Sequence, residues 1–413
     1  MTDVSRLLTV RHALHSDSST FTGTPVTLFP LRCTDDVAGL YPRNRVALAR
    51  NLRSQSGRRY SHARGSQDVA DITLATEFRG VDSNTGGAVT AWEAKMEQGL
   101  LLQSMFGAVA PATTGVAPTI AASGHTPLSG ILAVAGLTTA NGQVIAFKTG
   151  TAPNTTLQMG RILSGGGTTS LTLDHPYTGT PTTGETVFRM AVYTVNDAVT
   201  HHVHAFLTGE GESWRRDYSG CAPMSMALSL ASGQIVGMSS VFSPTSWADV
   251  AEADPAHAEP TAGSPIVADR VRLMIDGVEY FASNLSINYS NATQIRDVDT
   301  IGGNGRLGGV CGAGDGKSFT IEGEVLIGAT SPALTGELTD AAMVPLLGSD
   351  VNAGAVSTVR EVALMVGSDV GAIMYALLPT ADFVASTAIV NGLSRMKFTA
   401  VGTGALPAVL AVG

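Results

Sequence analysis

The sequence predicts a mainly β chain: two tandem β units of one design, each with one flanking α-helix, plus a small inserted β module. Three observations carry this. Apolar residues alternate with small polar ones at period two along much of the chain. A strand–loop–helix block closing on a glycine occurs twice. The distance from that glycine to the next turn differs greatly between the copies, which marks an insertion in the first.

In the first block, a strand running Ile72 to Arg79 ends at Gly80. A loop follows, then a helical stretch, Val89 to Phe106, with Trp92, Met96, Gly99, Leu102, Met105 and Phe106 at helical spacing and Gly107 as its stop. In the second block, a strand from Phe319 to Ile327 ends at Gly328, and a helix near Leu334 to Leu347 stops at Gly348. Aligning the two stop glycines pairs Leu102 with Met343, Met105 with Leu346 and Phe106 with Leu347.

Downstream order repeats as well. The first copy gives Val203 to Leu207, a turn at Gly209, then a hairpin. In that hairpin Met224, Met226, Leu228 and Leu230 share one face, Ala231-Ser-Gly-Gln turns, and Val236, Met238, Ser240 and Phe242 share the face on return. The second copy gives Val362 to Val366, a turn at Gly367, then strands through Met374–Leu378 and Leu393–Ala400. Asp276-Gly277 marks a further hairpin after Val271–Ile275.

Gly348 to Gly367 spans 19 residues, whereas Gly107 to Gly209 spans 102. The excess reads as a β module with runs at Val144–Phe147, Gly160–Leu163, Ser170–Leu173 and Val187–Phe188, entered through an Ala/Pro/Thr/Gly-rich linker, Ala108 to Ser129. The acidic, Ala/Pro-rich stretch Trp247 to Pro265 reads as a connector. The division is therefore 1–107 with 191–247 as the first unit, 108–190 as the module, 248–264 as the linker and 265–413 as the second unit.

Composition bears on function. Only 14 % of the 413 residues are charged, where roughly a quarter is usual. A chain of this size with so little charge is expected to hide much of its surface against neighbours. A net charge of −9 argues against a nucleic-acid binder but suits a wall that phosphate must slide past. Cys33, Cys221 and Cys311 lie far apart and read as free thiols. Neither a signal peptide nor a membrane span is evident.

Chemical motifs are weak. Gly303-Asn-Gly305-Arg-Leu-Gly308 matches a dinucleotide fingerprint in letters, but a strand follows where a helix is needed. Asp315-Gly-Lys317-Ser318 ends like a phosphate loop, but Cys311 stands where its glycine belongs and a strand follows. His202 and His204 would share a strand face and are the best metal candidates, yet no third ligand is near in sequence. The reading is no catalytic residue, no metal and no cofactor.

Arg43, Arg45, Arg50, Arg53, Arg58, Arg59 and Arg64 crowd one segment, with Tyr41 and Tyr60 among them. Three readings are open: a nucleic-acid arm, a solvated loop, or a loop docking on an acidic face of an identical neighbour. The acidic remainder of the chain favours the third.

The two glycine-stopped blocks, the Met224–Phe242 hairpin and the Val271–Tyr289 hairpin together resemble the tail tube proteins of long-tailed bacteriophages. The resemblance implies β-sandwich or half-barrel units, each flanked by one helix. It also implies six-fold rings whose strands join into a β-barrel, and stacking into a tube through which DNA leaves the capsid without specific binding. The arginine segment and Thr293 to Lys317 hold the position of that family's inter-ring loops. With two units per chain, three chains would make a pseudo-six-fold ring. Partners would be the chain itself and other phage tail proteins, in a virion tail assembled in the host cytoplasm, with no membrane involved. The competing reading is a virion decoration or receptor-binding β-protein, which has no reason to carry the repeated block.

Overall fold

The computed structural model describes residues 9–15, 29–32, 45–49, 62–67, 71–81, 97–110, 118–136, 139–151, 154–195, 202–208, 215–244, 246–250, 263–291, 294–297, 306–310, 317–326, 358–390 and 393–413. Within these, antiparallel strands dominate and one α-helix is present. The expectation of a mainly β fold with half-barrel sheets holds.

The large sheet follows one pairing order twice. In the N-terminal part, Ile72–Glu77 pairs with Gly237–Ser243, which pairs with Arg215–Leu230. Arg215–Leu230 then pairs with His202–Thr208, which pairs with Thr9–His15, which pairs with Phe29–Arg32. In the C-terminal part, Ser318–Leu326 pairs with Leu393–Gly402, which pairs with Met374–Val390. Met374–Val390 then pairs with Thr358–Val366, which pairs with Val271–Ile275, which pairs with Val278–Tyr280. A short ladder precedes each set: Arg45–Ala49 with His62–Gln67, and Gln294–Asp297 with Arg306–Val310. The two parts are joined edge to edge by Ser225–Leu230 against Leu285–Ser290.

Local chemistry explains these elements. Met226, Leu228 and Leu230 are buried on one face of their strand, and Val236, Met238, Ser240 and Phe242 answer from the return strand. Met224 leaves that face because the register shifts between Pro223 and Ser225. Proline cannot donate to the ladder, and the bulge takes up the extra residue. Asp276 (φ 50°) and Gly277 (φ 76°) both adopt the left-handed region that a two-residue hairpin turn requires.

The helix is Gly99–Phe106, and Gly107 caps it at φ 89° with its N–H donating to the Gln103 carbonyl. The start of the predicted stretch, 89–96, lies outside the described residues, as does the predicted helix Leu334–Leu347. Leu100, Leu101, Leu102, Met105 and Phe106 are all buried, so the helix is apolar nearly all round and plugs a core. Phe106 stacks on Tyr289 (4.8 Å, 9°) and meets Phe319 at 5.8 Å. Tyr289 donates its hydroxyl to the Met105 carbonyl at 2.8 Å. A helix from the N-terminal part thus packs on strands of the C-terminal part, in one shared core.

Residues 118–189 form a separate six-stranded sheet: Phe188–Arg189, Val144–Thr151, Asn154–Ser164, Ser170–Leu173, Ile131–Ala135 and Thr119–Ile120. The Ile120 N–H donates to the Glu185 carbonyl and the Val187 N–H to the Pro118 carbonyl, which ties the first strand to the segment leading into the last. Ile145, Phe147, Ile162, Leu171 and Val187 fill its interior.

Two stretches read from composition as connections are partly strand. Ala108–Ser129 was expected to be a linker, yet Gly107–Ala110 pairs with Ala191–Val195 and Thr119–Ile120 belongs to the module. Small side chains satisfy a ladder as well as a loop when a partner strand is close. Ser246–Val250, at the start of the predicted connector, pairs with Arg215–Ser219; the following residues 251–262 lie outside the described residues.

Candidate assembly surfaces

Pairing registers align into rows that cross both parts of the large sheet. One row runs Thr73, Val241, Ser225, Ser290, Ser318. The next runs Ala75, Ser239, Ala227, Asn288, Thr320, Val401, and a third runs Glu77, Gly237, Ser229, Ser286, Glu322, Thr399. Between them lie the core rows, such as Thr76, Met238, Leu228, Ile287, Ile321, Ala400 and Phe383. The outer face is therefore a continuous apron of small, mostly uncharged side chains. Its middle holds a shallow trough lined by Ser225, Ala227, Ser239, Asn288 and Thr320. Charge enters toward one end, where Glu77 and Glu322 share a row and Glu324 is held by Arg395 (2.9 Å) and Lys397 (3.5 Å).

The module presents a second surface. One face of its Val144–Thr151 and Asn154–Ser164 strands packs Val144, Ala146, Leu157 and Met159 against Met274, Met365, Tyr375, Leu377, Val409 and Ala411 of the large sheet. A polar cluster borders this contact. Asp174 accepts from the Tyr375 hydroxyl at 2.5 Å and from the Arg161 backbone N–H at 2.9 Å, and sits 2.8 Å from His175 Nδ1. Arg272 donates to Gln158 Oε1 at 2.9 Å across the same seam. Burial, reinforced by Asp174, pushes the Tyr375 hydroxyl well above its ordinary range. Burial, with Asp174 adding to it, raises the Glu361 carboxyl to about 7. Nothing in the local sequence singles out these residues; they meet only through the tertiary packing.

Of the arginines singled out in the sequence, Arg45 and Arg64 fall on the two strands of the Arg45–Ala49/His62–Gln67 ladder, in which Ala47 pairs with Arg64. Arg43, Arg50, Arg53, Arg58 and Arg59 lie outside the described residues. His202 and His204 lie on one strand, opposite His15 and Ala13. Among the described residues no group of three or more His, Cys, Asp or Glu side chains is placed to hold a metal ion. Also among them, no helix is long and apolar enough to cross a membrane. Both glycine-rich motifs run into strands, Arg306–Val310 and Ser318–Leu326. Cys221 is buried and joins no disulfide; Cys33 and Cys311 lie outside the described residues.

A family model described as phage tail tube protein matches residues 54–317, more than half of the chain. The chain belongs to the phage tail tube protein family. The match begins ahead of the His62–Gln67 strand and takes in the helix, the module and the edge-to-edge joint. Membership makes this a structural protein of the virion tail, one that assembles with itself and with other tail proteins. No curated protein matches the chain.

Proposed function

We propose that this tail tube protein closes three-chain, pseudo-six-fold rings that stack into a tube conducting DNA during ejection. The observation that carries the reading is the register-continuous apron of small, mostly uncharged residues across both parts of the sheet. A lumen wall needs a face that neither grips phosphate nor presents greasy side chains, and Ser, Thr, Ala and Asn supply it.

Tandem duplication is part of the proposal. It is supported by the pairing order that recurs strand for strand, from Ile72–Glu77 to Phe29–Arg32 and from Ser318–Leu326 to Val278–Tyr280. On this reading 1–107 with 191–247 is one unit, 265–413 is the other, and 108–190 is a module on the outside of the tube. Two structural units per chain turn three chains into six positions around a ring. The arginine segment, 43–64, reaches the next ring, where the acidic balance of the chain offers it a partner. Assembly takes place in the host cytoplasm.

Electron microscopy of the purified protein tests the reading. Hollow tubes or rings with three-fold symmetry are expected. Rings of six chains, or monomers that stay dispersed under assembly conditions, would overturn it.

A further inference from the structure

The seam between the module and the C-terminal part is apolar, adaptable and bordered by one ionisable cluster. Four methionines, Met159, Met190, Met274 and Met365, lie in its apolar side. Unbranched thioether chains repack at little cost, so such a seam tolerates small shifts. The way out of the module is a pivot. Phe188–Arg189 belongs to the module's sheet and Ala191–Val195 to the large sheet. Met190 alone lies between them, its N–H donating to the Val144 carbonyl.

Glu361 meets this seam from the large sheet. It precedes Ala363 and Met365 in the alternation that faces the module, and it stands where the ladder to Met374–Val390 shifts register. Across the seam, the module's segment 174–177 rides against the turn at Asp276 and Gly277, where an added methyl group on Gly277 would come within 3.3 Å of Pro176. Asp276 accepts from the Glu361 N–H at 3.0 Å and from Arg360 at 2.7 Å. The charged and titratable groups around the Glu361 carboxyl are therefore known from each side. The module brings Asp174, His175 and, behind them, Arg161; the large sheet brings Asp276, Tyr375 and Arg360. Arg360 is occupied by Asp276, and Arg272 by Glu279 and Gln158. His175 is buried, with Nδ1 turned to Asp174 and Nε2 without a hydrogen-bond partner, so it does not bridge to Glu361. A charge on Glu361 thus faces the Asp174 carboxylate with no cation bonded between them.

We propose that a proton on Glu361 seats the module: with the carboxyl neutral, segment 174–177 lies closed on the C-terminal part, and with it charged, the two carboxylates repel and the module lifts about Met190, opening the methionine seam. Seated, the carboxyl titrates at about 7, because burial and then Asp174 disfavour its charge. Lifted, it returns to its ordinary, lower range. Seating is therefore tightest in acid and loosens as pH rises through about 7. The latch needs neither the ring nor the tube.

A short hydrogen peroxide pulse on the full, dispersed chain reads the seam. Peroxide transfers one oxygen atom to an exposed thioether sulfur and leaves as water, and mass spectrometry locates the sulfoxide. Met159, Met274 and Met365 are buried while the module is seated. They are expected to oxidise about tenfold faster at pH 8 than at pH 5.5. Met226, Met238 and Met396, in the shared core of the large sheet, should stay slow at both. In Glu361→Gln the seam methionines should be slow at both pH values. Equal seam rates at the two pH values in the wild type would overturn the latch. So would a rise shared by the core methionines, which marks global opening, or one that persists in Glu361→Gln.

Discussion

Glu361 makes the chain's stability fall as pH rises. Its carboxyl titrates at about 7 in the fold, against 4.5 ordinarily, because burial and Asp174 disfavour its charge. Between those values the folded chain keeps a proton that the unfolded chain has released. The stabilising contribution is thus complete below pH 4.5 and is lost as pH rises through about 7. A shift of that size converts to about 3.4 kcal/mol at 1.36 kcal/mol per unit. Glu361 is only partly buried, so solvent screening reduces this to about 1–2 kcal/mol. Urea unfolding of dispersed wild type and Glu361→Gln, followed by circular dichroism at pH 5 and pH 8, measures it. Wild type should lose about 1–2 kcal/mol more than the variant over that interval. Parallel pH profiles for the two proteins would refute the reasoning.

Three further perturbations probe other parts of the chain. Gly80→Ala would drive a methyl group into the backbone carbonyls of Gly371 and Gly413, so a loss of about 3 kcal/mol or more is expected in denaturant unfolding. Tyr289→Phe keeps the stack on Phe106 but strips the buried Met105 carbonyl of its donor; a cost of about 1–3 kcal/mol by the same measurement is expected, and none would show that the shared core does not depend on this bond. Replacing Arg58 and Arg59 together by Glu should leave rings intact but stop them stacking, as high salt should in the wild type. Tubes of normal length by electron microscopy would count against the arginine segment as an inter-ring contact.

Local rules made much of the sheet legible. Alternation placed Met226 to Phe242 correctly because one face is core and the other small and polar. Asp276-Gly277 could be read because few residue pairs tolerate two positive φ values in succession. Met224 was misplaced because one bulge flips the faces, and nothing beyond Pro223 announces it. Gly107–Ala110 was hidden because Ala and Gly carry little strand preference, and only the partner Ala191–Val195 decides the matter. The cluster of Asp174, His175, Glu361 and Tyr375 was invisible for another reason. Asp174 and His175 are neighbours, but Glu361 and Tyr375 come from a distant part of the sequence, and each alone looks like an ordinary residue.

The docking of the module sets an order of events during synthesis. Val144, Ala146, Leu157 and Met159 leave the ribosome long before Met365 and Tyr375, and Val409 and Ala411 come later still. The module can close around its own interior early, but its second apolar face must wait, exposed, for strands made later. A chain cut short before Val409–Val412 keeps that face partly uncovered and lacks the strand that pairs with both Ala191–Thr194 and Met374–Leu377. Such a product would carry a sticky flank that chaperones and proteases can recognise. The same contact that fixes the module therefore distinguishes a finished chain, with this face covered, from a truncated one, with it bare.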